Sequence, residues 1–352
     1  MTVSRRVFLV RSGQAAGLIA ASGGLGALLE AAAGPAGASP ATKALTPVTY
    51  QLGWLPNVEN AGEFVADAKG YFADEGIKVN LLPGGPTTTV EPELVSHKCL
   101  VGLSETDTTA RANQQGAKLK TVAATLQTTP LAVMSLASKP IHTPKDLYGK
   151  KLGIQSFQVE VFNAFFKMIK IDVSKITIIP ASGDPSILSA GEVDALSVLV
   201  TNEPITLALQ GIKTYVWTLG QYGWSVFGDT IEVADSSLAN SKSRDVIVHA
   251  VRAAIRGWQS ALANPSMAAS LVVNNYGKSL KLSEKQQLLS LEAFKSVIET
   301  PYTKAHGLLN MSPADIEINL KSIASEGIKV SESSLFDRSV LRDAFDGATT
   351  IS

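Results

Sequence analysis

The chain has 352 residues, 45% of them hydrophobic and 18% charged, enough for a buried core and for two lobes of ordinary domain size. Lys+Arg and Asp+Glu both number 31, so there is no basic excess to neutralise a phosphate backbone, and nucleic acid is not expected as a partner. A single cysteine, Cys99, rules out an intrachain disulfide; His97, His142, His249 and His306 are scattered with no Cys or His at ligand spacing, so neither a metal nor a cofactor is expected.

The chain begins with its sharpest short signal. Ser4-Arg5-Arg6-Val7-Phe8-Leu9 is a twin-arginine export motif. From Ser12 to Leu29 the sequence is uncharged, rich in Ala, Gly and Leu, and broken by Gly13, Gly17, Gly23, Gly24 and Gly26. That run suits a signal core better than a membrane span, which needs about 20 strongly apolar residues. Ala36-Gly37-Ala38 supplies the small residues of a cleavage site, so residues 1–38 read as a signal peptide. An uncleaved anchoring helix is the alternative, disfavoured by the helix-weakening glycines. No cysteine lies near the cleavage site, so no lipid anchor is expected there. The mature protein is expected in a periplasmic or extracytoplasmic location. Removing Arg5, Arg6, Arg11 and Glu30 leaves 28 basic and 30 acidic residues, a balance that says little about partners.

Beyond the Pro/Ala/Thr-rich stretch Ser39–Pro47, strands and short helices alternate. Val48–Trp54 reads as a strand, Ala61–Lys69 as a helix and Ile77–Leu82 as a strand. The turn Pro83-Gly84-Gly85-Pro86 leads to a helix over Thr87–His97, a strand over Cys99–Ser104 and a helix over Thr106–Gln115. Leu119–Leu126 and Leu131–Ala137 are further apolar runs. The rhythm then restarts with a strand at Lys151–Gln155 and a helix at Val159–Ile169. Strand Ile176–Ile179, helix Pro185–Ala190, strand Ala195–Val200, helix Pro204–Gln210 and strand Lys213–Thr218 complete it. From Arg244 the chain turns helical: Ile247, Val251, Ile255, Trp258 and Leu262 form an amphipathic stripe, which places Trp258 in the core. Lys285–Ile298 and Pro313–Ser325 are expected to be further helices. Segments Ser138–Ile141 and Trp224–Ile231 are candidate crossings between two α/β units, which would make a hinge about a central cleft.

Several of these segments carry a family likeness. Gly53-Trp54-Leu55-Pro56-Asn57, Asn60-Ala61-Gly62 and Ala68-Lys69-Gly70-Tyr71-Phe72-Ala73-Asp74-Glu75-Gly76-Ile77 resemble the opening of a large solute-binding family. It comprises ABC-importer binding proteins for thiamine pyrimidine precursors, alkanesulfonates, taurine and nitrate, together with thiamine-pyrimidine synthases. Thr143-Pro144-Lys145-Asp146-Leu147-Tyr148-Gly149-Lys150-Lys151-Leu152-Gly153, Leu188-Ser189-Ala190-Gly191-Glu192-Val193-Asp194-Ala195, Arg256-Gly257-Trp258 and Asn264-Pro265 fit it too. The likeness runs from about Val48 to Gly277. It implies an α/β fold of the type II periplasmic-binding-protein class: two lobes, two hinge crossings, and the helical C-terminal tail packed on lobe one. On that basis 48–137 plus 232–352 form lobe one and 138–231 form lobe two. The resemblance also implies a small-molecule ligand, an ABC permease as membrane partner, and a monomer. Trp-x-Pro-Asn leans toward the pyrimidine-precursor branch, which usually has His where this chain has Asn60.

In open α/β sheets, ligands bind beyond the carboxyl ends of strands, and that rule selects the candidate contacts. Trp54 offers an indole face to a planar ring and Asn57 an amide to its edge; a packed Trp with a capping Asn is the alternative. Asn60 contacts ligand or caps the next helix. Thr87 and Thr88, after Gly84-Gly85-Pro86, would present a helix N-terminus. Glu105 ends a strand at the same edge, with Thr106 beside it and Asp107 able to cap the helix that follows. In the second unit Ser156, Phe157 and Gln158 follow one strand and Asn202 and Glu203 another. Glu203 would pair with an aminopyrimidine's N–H and protonated ring nitrogen, or merely favour a helix dipole. Tyr222 and Trp224 either wall the cleft or pack in the hinge. Only Arg111 among the cations lies near these loops, which favours an aminopyrimidine over a sulfonate, taurine or nitrate; a flavin would need a wider aromatic cleft. No nucleophile elbow, P-loop or dinucleotide fingerprint is present, so a binding protein is preferred to an exported enzyme of the synthase-like type.

Overall fold

The computed structural model describes residues 44–352; the leader expected over 1–38 lies outside them. In chain order, the first part runs β1 (Thr46–Gln51), α1 (Ala61–Ala68), α2 (Tyr71–Asp74), β2 (Ile77–Leu82), α3 (Val90–Val95), β3 (Val101–Ser104), α4 (Thr106–Gln114) and β4 (Leu119–Leu126). Next come β5 (Leu131–Leu136), β6 (Lys151–Gln155), α5 (Val159–Met168), β7 (Thr177–Ala181), α6 (Ser186–Ser189), β8 (Ala195–Leu199), α7 (Glu203–Leu209) and β9 (Thr214–Thr218). The chain returns through β10 (Gly228–Ala234), α8 (Asp235–Ala239), α9 (Ser241–Ala263), α10 (Pro265–Leu271) and α11 (Glu284–Ile298). It ends with α12 (Pro301–His306), α13 (Pro313–Ser325), α14 (Glu332–Leu335) and α15 (Ser339–Phe345).

Two five-stranded mixed sheets result, ordered β2-β1-β3-β10-β4 and β7-β6-β8-β5-β9. Both have the same plan: three parallel strands, then one antiparallel strand that has crossed from the other lobe, then an edge strand. Strand membership corrects the expected lobe boundaries. Leu131–Leu136 pairs with β8 and β9, so it belongs to lobe two, and Gly228–Ala234 pairs with β3 and β4, so it belongs to lobe one. The crossings are therefore the four residues 127–130 and the stretch 219–227, and Ser138–Ile141 is a turn leaving β5. The apolar run of β5 looks the same in sequence whichever sheet it joins, because both faces of either sheet are covered.

The helical tail packs mainly on lobe one. The α9 stripe is buried as expected, and Trp258 is fully enclosed. It lies against α1 at a crossing built from two of the motif glycines. A Cβ on Gly257 would stand 2.0 Å from the Gly62 carbonyl oxygen, and one on Gly62 would overlap the Trp258 indole. The motif segments Asn60-Ala61-Gly62 and Arg256-Gly257-Trp258 are thus two sides of one helix contact, so this part of the likeness is architectural.

Candidate functional site

The topology brings six chain segments to one seam between the sheets. Lobe one contributes the loops after β1 and β3 and the start of antiparallel β10; lobe two contributes the loops after β6 and β8 and the start of β5.

Trp54 leaves β1 in a loop held by the Gly84 N–H, which donates to the Trp54 carbonyl at 2.9 Å. A Cβ on Gly84 would lie 2.4 Å from the Leu52 oxygen, so only glycine permits this approach. Across the seam the indole meets Phe157, with ring centroids 5.6 Å apart and planes inclined by 52°. Phe157 is otherwise exposed. One aromatic side chain from each lobe therefore meets the other at the seam, and a flat ring would stack on one of them or enter by parting the pair.

Four carboxylates gather at the same seam. Asn57 caps the 3-10 turn Val58–Asn60 by accepting from the Glu59 N–H at 2.8 Å, which directs Glu59 to the seam. Glu59 and Asp229 lie within hydrogen-bond reach of each other, and Glu203 of lobe two lies within Coulomb range of Glu59. Glu105 accepts from the Asp229 N–H at 3.5 Å and keeps its own surface open to solvent. Asp229 is 6% exposed, adopts φ +46°, and leaves Oδ2 without a protein partner. Left-handed backbone in a non-glycine residue is uncommon and clusters at functional sites. Glu203, 3% exposed, accepts from the Leu199 N–H at 2.8 Å.

These surroundings disfavour negative charge. Burial pushes the Glu59 carboxyl up to about 7, with Glu203 adding to the rise and hydrogen bonds from Asn57 and Asp229 opposing it. Burial likewise carries Glu203 to about 7 against the stabilising Leu199 N–H. Asp229 is raised well above the carboxylate range, first by burial and then by Glu59, Glu105 and Glu63 beside it. A ligand able to donate N–H bonds or carry positive charge would favour the ionised carboxylates, whereas an anion would oppose their ionisation further.

Other contacts join the lobes. Gln286 on α11 donates to the Asn202 side chain at 2.8 Å, Ser290 donates to the Thr201 carbonyl, and Arg111 bridges Glu326 of lobe one (2.7 Å) and Glu160 of lobe two (3.0 Å). Arg111 is therefore paired rather than free for an anionic ligand.

Of the residues expected at the site, Trp54, Glu105, Asn202 and Glu203 converge on the seam, and Ser156 lies exposed beside Phe157. Asn57 acts as a cap. Asn60 is buried, with Nδ2 donating to the Leu55 carbonyl at 3.3 Å, and its side chain does not cap α1. Gln158 accepts from Ser197 within lobe two at 2.8 Å. Thr87 and Thr88 sit in a turn, Thr87 exposed, because α3 begins only at Val90. Trp224 is 1% exposed within the main hydrophobic core, and Tyr222 packs on Phe165 and Trp217, so both are hinge packing rather than cleft wall. Two residues went unforeseen. Glu59 is hidden in an ordinary-looking turn, and Asp229 stands at the start of a strand, where a rule about strand ends does not look. Among the described residues no group of three or more His, Cys, Asp or Glu is arranged to hold a metal, and no helix is long and apolar enough to cross a membrane.

The chain is 28% identical over 273 residues to the riboflavin-binding protein RibY of Chloroflexus aurantiacus, covering 74% of each chain. It is 23% identical over 266 residues to the formylaminopyrimidine-binding protein of Halalkalibacterium halodurans, covering 74% of this chain and 80% of the relative. Among solved structures, the periplasmic nitrate-binding protein NrtA of Synechocystis PCC 6803 superposes with a TM-score of 0.62 at 11% identity, over 87% of this chain and 92% of the other. That likeness shows the periplasmic-binding-protein fold. The family model described as NMT1/THI5 like matches residues 57–268, and this protein belongs to that family.

Proposed function

We propose that the protein is the extracytoplasmic solute-binding component of an ABC importer and that it captures a thiamine-related aminopyrimidine by hinge closure. The observation that carries this reading is the convergence of Glu59, Glu105, Asp229 and Glu203 at the seam that the Trp54–Phe157 pair also spans. An aminopyrimidine has a flat face for the two rings. Its exocyclic N–H and protonated ring nitrogen match the carboxylates in charge-assisted hydrogen bonds. Sulfonate and nitrate offer only acceptors and negative charge, and here would need an arginine that Glu160 and Glu326 do not already occupy. The three carboxylates of lobe one and Glu203 of lobe two would bind the same ligand, which is how a ligand shifts an open–closed equilibrium toward the closed form. A membrane permease would then engage that form. The twin-arginine leader supports export.

A second reading, a flavin, is favoured by the riboflavin-binding relative. Its wider ring system would stack on Trp54 or Phe157, with ribityl hydroxyls donating to the same acids. Thermal-shift screening of the mature protein with aminopyrimidines, riboflavin, taurine and nitrate at neutral pH separates these readings. Stabilisation by an aminopyrimidine above all others is the expected result. Greater stabilisation by riboflavin selects the second reading, and greater stabilisation by an anion overturns both.

A further inference from the structure

The contact that closes the seam also brings acids together. Helix α11 clamps both turns involved through a chain of amides. The Val58 N–H donates to Gln287 Oε1 at 3.0 Å, Gln287 Nε2 donates to Gln286 Oε1, and Gln286 Nε2 donates to Asn202 Oδ1 at 2.8 Å. Val58 precedes Glu59 and Asn202 precedes Glu203, so seating lobe two on α11 fixes these carboxylates at the same seam. Glu59 already faces Asp229, which faces Glu105. The groups around them offer little relief. Asp229 also meets Glu63 of α1 and the Tyr50 hydroxyl of β1; Glu105 also meets Asp107 of α4 and Glu232 of β10. The first turn of α11 adds Glu284 and Lys285, both exposed. Arg111 faces Asp107 but is bound to Glu326 and Glu160.

We infer that lobe closure is gated by charge: the lobes come together only when protons or a cationic, N–H-donating ligand neutralise the Glu59–Asp229–Glu203 cluster. The inference deepens the binding reading by adding a regulation of the same site, but it holds for whatever ligand the site takes. At neutral to alkaline pH the empty protein would stay open, so the permease would not meet an empty closed form. The carboxyls of Glu59 and Glu203, both pushed up to about 7, set the range in which this matters. Because the closed form holds its protons more tightly than an open, hydrated one, acidification through pH 7 favours closure and alkalisation opposes it. The Arg111–Glu160 bridge at 3.0 Å also pulls the lobes together, but Glu160 shows no comparable enclosure on its side of the seam and is largely exposed.

The test needs no ligand. Small-angle X-ray scattering of the ligand-free mature protein from pH 5.5 to 8.5 reads the radius of gyration as the lobes open. The closed-to-open ratio is expected to fall about tenfold per pH unit for each proton released between the ordinary carboxylate value of 4.5 and about 7, and to level off above that. Glu203→Gln should raise the closed fraction at pH 8 and flatten the pH response by about one proton; Glu59→Gln should do the same independently. Glu160→Gln should open the protein at every pH with an unchanged slope. A radius of gyration independent of pH, or no change at pH 8 in either Glu203→Gln or Glu59→Gln while circular dichroism shows both folded, overturns the gate. Neither result depends on which ligand binds.

Discussion

Replacing Glu203 with Gln separates the cost of the carboxylate from its use. The substitution keeps the side-chain oxygen that accepts from the Leu199 N–H and removes the charge. In the folded protein the carboxyl sits at about 7 instead of the ordinary 4.5, chiefly because it is buried. The stability this group contributes is fully present below about pH 4.5 and is lost as the pH rises through about 7. A displacement of that size corresponds to at most about 3 kcal/mol, at ~1.4 kcal/mol per pH unit. Glu203→Gln should therefore leave the melting temperature at pH 5 nearly unchanged. At pH 8 it should raise it by roughly 2–6 °C, for ~1–3 kcal/mol regained in a chain of this size. Ligand affinity should move the opposite way. Losing a charged acceptor costs about 1.5–3 kcal/mol, so calorimetric titration at pH 7.5 should show Kd weakened by roughly 10–100-fold. A variant that melts lower than the parent at pH 8, or shifts equally at both pH values, would refute the argument that this carboxylate is held at a cost for ligand binding.

Trp54→Ala should weaken ligand binding by roughly tenfold or more, and Phe157→Ala by a similar factor with little change in melting temperature, since Phe157 packs only across the seam; titration and melting curves check both. Trp224→Phe should lower stability by about 1–3 kcal/mol and leave Kd within twofold, because Trp224 lies in the core. Gly257→Ala places a methyl group 2.0 Å from the Gly62 oxygen and should cost about 1–3 kcal/mol or more in a denaturant titration. Replacing Arg5 and Arg6 with Lys should stop export and leave the protein in the cytoplasmic fraction, as read by cell fractionation.

Regular elements were legible where the pattern has a single meaning. Ile77–Leu82, Leu119–Leu126, Lys151–Gln155 and Pro313–Ser325 begin and end where periodicity and turn residues place them. Thr87–His97 was too long because Thr88 N–H closes a turn on the Gly85 carbonyl, which delays the helix to Val90. The first hinge crossing was misplaced because an apolar strand does not state which sheet it will join. That Trp54, Glu105 and Glu203 come to the seam was legible from the rule about parallel strand ends. Asp229 escaped it for a topological reason: β10 runs antiparallel to β3, so its beginning arrives at the edge where the other strands finish. Glu59 escaped because its position depends on Asn57 acting as a cap and on Gln287, 229 residues after Val58, holding the turn. Distant pairings of this kind leave no local signal.

The central claim is that a carboxylate-lined, aromatic-walled seam takes a flat N–H-donating heterocycle and refuses anions. Isothermal titration of the mature protein at pH 7.5 with an aminopyrimidine and, separately, with nitrate tests it most directly. Saturable binding of the aminopyrimidine that is lost in the Trp54→Ala, Glu203→Gln double variant, with no heat from nitrate, is the expected result. Saturable binding of nitrate that survives in that double variant would contradict the account.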